Sequence, residues 1–460
     1  MSIQAAFIVP HPPLIVPAVG RGEESRIRST TDAFLKISEA IAALKPETVV
    51  IISPHSTTYM DYFHISPGTG ANGDFSGFGA RAESISVSYD TDFVRLLTQM
   101  AETDDFPAGT AGEESKSLDH GVTVPLYFLN QAYTDYKLVR LGISGLDPYE
   151  HYKLGKMIAD AAGGLNRSVV VIASGDLSHK LIKSGPYGYT PEGPEFDKFI
   201  CKTIKSADFI DFMRIDPHFQ QKSAECGLRS FIVMAGALDS KAVNAELLSY
   251  EGPFGVGYAV ASFFVAGEDS TRAFGKSYTT AEKAGLEAER KCEGAYVLLA
   301  RRAAEHYVET GKSIPLPDDL APELLKNRAG VFVSVKKKGA LRGCIGTISP
   351  VRATIAAEII RNAISAVSED NRFPPVSKDE LDLLSYSVDV LGKAEPARQE
   401  DLDPLRYGVI VTSGYKRGLL LPALEGVDTV EMQLRIAKQK AGIHAGEAFN
   451  IERFEVVRHR

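Results

Sequence analysis

The chain has no tryptophan and only four cysteines in 460 residues. Those cysteines, Cys201, Cys226, Cys292 and Cys344, form no CxxC pair, which excludes a zinc ribbon and a thioredoxin-type dithiol. Cysteine this sparse and unpatterned fits a reducing compartment. No stretch reaches the ~18 apolar residues that a membrane span requires. The opening MSIQAAFIVPHPP has no basic segment ahead of its apolar run and meets proline early, unlike a secretory signal. A soluble cytoplasmic protein without membrane contact is expected. Internal repeats and low-complexity tracts are absent, and nothing in the composition suggests disorder, collagen or coiled coil.

Basic charge is scarce in the first part of the chain. Residues 1–270 carry 22 Lys+Arg against 33 Asp+Glu, whereas the remainder carries 29 against 26. An acidic balance argues against the first part gripping a phosphate backbone, so nucleic acid is not its expected partner. The dense run Lys336-Lys337-Lys338 fits a solvated hairpin tip.

What is present is ordinary globular composition, 44% hydrophobic and 24% charged, over a length suited to two domains. Apolar runs at Gln4–Val9, Thr48–Ile52, Lys137–Ile143 and Ser168–Ala173 read as strands. Amphipathic stretches at Ile27–Leu44, Phe93–Met100 and Tyr149–Ala162 read as helices. Strands separated by helices predict a three-layer α/β domain with a largely parallel or mixed sheet. Tyr250–Val265 reads as closing strands turning at Gly252-Pro253. The polar, aperiodic segment Ala266–Thr280 reads as a linker, giving domains at 1–268 and 280–460. Beyond it a helix is expected from Ala281 to about Val308, then strands near Gly330–Val335, Ser385–Leu391 and Gly408–Val411, an α+β pattern.

Two histidines stand in matching contexts. His11 follows the strand AAFIVP and His55 the strand VVIISP, each as a Pro-His at a strand's carboxyl end. In open α/β sheets ligands bind in the crevice at those ends, and there the two imidazoles meet if the strands are parallel neighbours. His179, in Gly175-Asp176-Leu177-Ser178-His179, lies past a third strand end. His120, in Leu118-Asp119-His120-Gly121, precedes Val122–Leu129, a helix with Pro125 in its first turn. It reads equally well as a capping or exposed loop residue. His64, His151 and His218 have no such context and read as surface residues. A metal held by two histidines usually wants an anionic third ligand, the 2-His-1-carboxylate pattern of non-haem Fe(II) oxygenases. The candidate is Glu225, in Ser223-Ala224-Glu225-Cys226-Gly227, where a first-turn glutamate favoured by the helix dipole is the plainer reading.

The order PHPP, SPH, DHGxxxPL, GDLSH and AECG resembles the LigB-type class III extradiol dioxygenases over about residues 3–265. The resemblance implies that His11, His55 and Glu225 bind Fe(II), that His179 is the acid/base and that His120 faces substrate or oxygen. It implies a small aromatic substrate of catechol type, and O2. Over residues 281–460 the motifs LRGCIG (341–346), NRFPPV (371–376) and RGLLLP (417–422) closely resemble the AMMECR domain family, which implies a fold and no particular reaction. Arg342 and Cys344 lie between glycines that let backbone approach a ligand. Cys344 can be read as a nucleophile activated by Arg342 or as a small buried residue in a tight turn. AMMECR domains accompany Memo-type proteins and radical-SAM enzymes in the set called AmmeMemoRadiSam, which brings in a radical-SAM protein as a candidate partner. Memo proteins share the LigB-type fold, are not known as ring-cleaving enzymes and place a cysteine near their metal. The pair Glu225-Cys226 therefore carries both signals. With Glu225 as ligand the metal is iron and Cys226 packs behind it; with Cys226 as ligand zinc or copper is favoured. An oligomer remains compatible with the sequence.

Overall fold

The computed structural model describes residues 2–114, 117–424 and 426–460. The chain forms two compact units, Met1–Thr279 and Thr280–Arg460. Among the described residues no helix is long and apolar enough to cross a membrane.

The first unit is built on six strands: β1 (Ile3–Val9), β2 (Thr48–Ser53), β3 (Lys137–Gly142), β4 (Val169–Ser174), β5 (Lys241–Glu251) and β6 (Tyr258–Glu268). Their order across the sheet is β3-β2-β4-β1-β6-β5. The first four run parallel, and β6 pairs antiparallel with both β1 and β5. The sheet is therefore mixed. Its central strands are runs of β-branched and other apolar residues because both faces are covered. Val50 and Ile52 point into one core with Phe231 and Ile158, and Val49 and Ile51 into another with Phe34 and Leu126. Helices Pro148–Gly164 and Leu228–Ala237 pack on the first face, Arg28–Leu44 and His120–Leu129 on the second.

The second unit is α+β. Strands Ala340–Gly346, Val331–Lys337, Leu384–Leu391 and Val456–His459 form one antiparallel sheet backed by helices Ala295–Thr310 and Ile355–Ser368. A second antiparallel sheet is made by Glu395–Pro396, Asn450–Phe454, Gly408–Ser413 and Lys416–Leu420. Lys338-Gly339 makes the hairpin turn between the first pair, with both residues at positive φ.

Several details differ from the sequence reading. The expected linker is strand up to Glu268, a 3-10 turn at Ser270–Arg272 and then helix from Phe274 to Cys292. The helix expected to run on to Val308 breaks at Glu293-Gly294 and resumes at Ala295. Polar composition hid the apolar anchors there: Phe274 is buried in the core of the first unit and Tyr278 packs against it. Pro125 lies inside helix His120–Leu129, which starts at His120 itself. His64 and His151 are both buried, the latter held by Ser144 N–H and the Asp147 carbonyl.

Phe274 and the Gly275 N–H, which donates to the Tyr152 hydroxyl, tie the 269–279 segment to the core. A chain ending at Glu268 should thus be less stable than one ending at Thr279 by about 3 kcal/mol, the typical loss on removing a buried phenyl ring. Urea unfolding of the two truncations measures this.

Candidate metal centre

Strands β2, β4 and β1 are consecutive in the sheet and parallel, so the loops that leave their carboxyl ends share one crevice. His55 follows β2, the 175–179 loop follows β4 and His11 follows β1. The two Pro-His strands are not direct neighbours. β4 lies between them and supplies Ser174, whose hydroxyl is 2.9 Å from His11 Nδ1. That contact turns His11 Nε2 outward, to within 3.0 Å of His55 Nε2. The main chain of His11 is fixed as well, its N–H donating to Asp176 Oδ1 at 2.8 Å. The β2 turn is held by Asp119, which accepts from Ser53 Oγ at 2.6 Å and Ser56 Oγ at 2.7 Å.

The third donor atom beside the two imidazoles is a sulfur. Cys226 Sγ lies 3.5 Å from His11 Nε2, and His11, His55 and Cys226 present donor atoms all within 4.8 Å of one another. A second group of the same tightness joins Asp176, His179 and Cys226. The structure does not bring Glu225 into either group. Its carboxylate accepts from Gln220 Nε2 at 2.7 Å and from the Leu228 N–H at 2.6 Å, at the start of helix Leu228–Ala237. Helix Pro217–Ser223 ends in a left-handed Ala224, and residues 225–227 are not helical; there the two adjacent side chains take different partners, Gln220 and Leu228 for Glu225, His11 and Asp176 for Cys226. His120 is in neither group but stands against both ligand rings, with centroids 4.1 Å from His55 and 5.2 Å from His11.

These donors suit a metal. Bonds of ~2.0–2.3 Å place neighbouring ligand atoms ~3–4 Å apart, the spacing found here. His179 Nε2 is buried without a hydrogen-bond partner, an orphan that a bound group or a proton would satisfy. The rings are also in the protonation state that ligands need. Burial, reinforced by the other three histidines, holds His11 well below the usual imidazole range. Burial lowers His55, with Asp119 opposing. His120 and His179 are pushed to about 4 by burial first and His55 second. Burial, then Asp176 and Glu225, raises the Cys226 thiol well above its usual range. Burial with Asp197 raises Asp176 to about 7, against the His11 N–H. Around this cluster, Tyr187 lies 5.0 Å from the His179 ring and Phe78 5.7 Å from His120, both exposed.

Comparison with known proteins now places the chain. The model for the catalytic LigB subunit of aromatic ring-opening dioxygenase matches residues 5–261, and that for AMMECR1 matches residues 297–459. The chain belongs to the LigB family. An AMMECR1 domain follows the LigB domain, and a protein of Clostridium acetobutylicum is 43% identical over 100% of both chains. A Thermotoga maritima protein is 53% identical over 36% of this chain and 98% of its own. A solved structure from Pyrococcus horikoshii, 34% identical, covers 35% of this chain and 88% of its own with a TM-score of 0.33.

In the AMMECR1 domain, Arg342 is spent on structure. It forks onto Glu380 at 2.9 and 2.8 Å and donates to the Pro374 carbonyl. Cys344 is half-buried on strand Ala340–Gly346, not in a tight turn, and receives the Ser334 hydroxyl at 3.2 Å. Gly343 makes room for the Ala366 carbonyl of the protein's own helix, where a ligand had been expected. Reasoning from sequence missed Ser174, Asp119 and Asp176 as supports. The last two were visible as the acids beside His120 and within GDLSH.

Two outcomes are expected. Replacing Cys226 with serine should strip metal from the LigB domain, whereas Glu225→Gln should retain it, as measured by metal content after dialysis. A buried thiol must lose its proton to ligate, so metal uptake should release one proton and tighten as pH rises. Calorimetry in buffers of different ionisation enthalpy reads this, and the release should vanish in Cys226→Ser.

Proposed function

We propose that the LigB domain is a mononuclear metal-dependent oxidoreductase that acts with O2 on a small catechol-like aromatic. The observation that carries this reading is the convergence of His11 and His55, at two strand ends of one parallel sheet, with Cys226 from the segment ahead of helix Leu228–Ala237, beside the unpartnered His179 Nε2 past the strand end between them. Bound Fe(II) would supply open positions that bring a diol and oxygen together and offset developing charge. The chain's own residues do the rest. Ring opening beside a hydroxyl needs a proton taken and later returned. His179, held neutral at physiological pH by burial, can accept it at Nε2 and return it. His120, neutral for the same reason, offers a second imidazole against the ligand rings. Phe78 and Tyr187 flank the opening with flat apolar faces suited to a ring.

A second reading is favoured by one observation, the thiol in place of a carboxylate. A sulfur donor prefers zinc or copper(I) over a reactive iron, which fits a Memo-like metal-binding module without ring cleavage. Metal analysis of anaerobically purified protein, then oxygen uptake with a catechol panel, separates the two. Iron with uptake supports the oxidoreductase; zinc or copper without uptake, even after iron is restored, supports the module. If the first reading holds, His179→Ala should keep its metal and lose ~10²–10⁴ in kcat, the span of a general acid/base. Loss of metal from that variant would instead make His179 a ligand.

A further inference from the structure

Two clusters of donor atoms meet at one sulfur. His11 and His55 group with Cys226, and Asp176 and His179 group with the same Cys226, the donors of each set lying within 4.8 Å of one another. Among the described residues the five do not fall into one group of that tightness. Bonds of ~2.0–2.3 Å put donors on opposite sides of a single ion at most ~4.6 Å apart. Five donors spread more widely than that do not close on one ion, but they can close on two that share the sulfur, since a thiolate keeps lone pairs beyond the one it gives to a first ion.

The second cluster has donors to spare. His179 Nε2 is buried with no hydrogen-bond partner. Asp176 is buried too; its Oδ1 accepts the His11 N–H, while its Oδ2 makes no hydrogen bond among the described residues. An unengaged carboxylate oxygen beside an orphaned imidazole is a costly pair to bury unless a cation joins them. The main chain holds both to the sulfur, with the Asp176 N–H donating to Cys226 Sγ at 3.2 Å.

We propose that the crevice has a second divalent-cation position, made by Asp176, His179 Nε2 and a bridging Cys226 thiolate, and that an ion there shuts the site. His11, His55 and Cys226 are the softer set and suit zinc or copper better than a set containing a carboxylate, so they fill first. A second ion, at the ~3.5–4 Å usual between paired metals, meets the charge of the first and binds on the order of 10²-fold more weakly. It engages the lone pair with which His179 would accept a proton. One ion per chain leaves His179 free; excess metal silences it. This bearing on turnover rests on the oxidoreductase reading above, whereas the second position itself does not.

The test is titration of the metal-free full chain with Co(II), followed by absorption and electron paramagnetic resonance. Wild type should take a tight ion and then a weak one, and the weak one should quench the resonance of the first, because cobalt ions sharing a sulfur are magnetically coupled. His179→Ala and His179→Gln should each keep the first ion with its sulfur-to-cobalt absorption and lose both the weak step and the quenching. A single ion in the wild type, a second that leaves the resonance of the first unchanged, or quenching that survives in both variants overturns the proposal. Oxygen uptake keeps this inference apart from the proposed function. Coupled ions without uptake on any diol uphold the second position and sink the oxidoreductase. Uptake by the iron-loaded protein that excess zinc does not suppress, with a single ion in the cobalt titration, does the reverse.

Discussion

The approach of two backbones, at Gly175 and Gly227, decides what the crevice contains. A Cβ on Gly175 would run into the Gly227 main chain, and one on Gly227 would meet the Phe231 ring and Gly175 in turn. With neither present, the 225–227 segment sits directly on the loop that follows β4. The N–H groups of Cys226 and Gly227 both donate to the Asp176 carbonyl, and the Asp176 N–H returns a bond to Cys226 Sγ at 3.2 Å. This clamp joins the loop bearing His179 to the loop bearing Cys226. Through the Asp176 side chain it also reaches the His11 main chain. One aspartate and two glycines thus index three of the converging side chains against one another.

The electrostatics follow from that compactness. Four imidazoles within a few ångströms cannot share positive charge, and burial removes the water that would ease it. The cluster is therefore neutral and rich in lone pairs. It answers to a cation placed at its centre.

Much of this was legible in the sequence. Strand-ending histidines announced the crevice because hydrophobic runs of β-branched residues are hard to mistake. Motif order then carried the family. The choice between Glu225 and Cys226 was not legible, because it turns on the left-handed Ala224 and on two glycines that meet only in three dimensions. His64 and His151 were misjudged for a related reason. Isolated polar residues give no periodic signal, and segments distant in sequence help to cover each, the Phe63 ring on His151 and the strand at Gly109 beside His64. The supposed linker misled through composition, since Phe274 and Tyr278 outweigh their polar neighbours once they pack on a core.

The raised thiol of Cys226 bears on how the protein lasts. Peroxides and alkylating electrophiles attack thiolates, and a protonated, buried sulfur offers them little. Free of metal, Cys226 is therefore a poorer target for oxidants than an exposed thiolate.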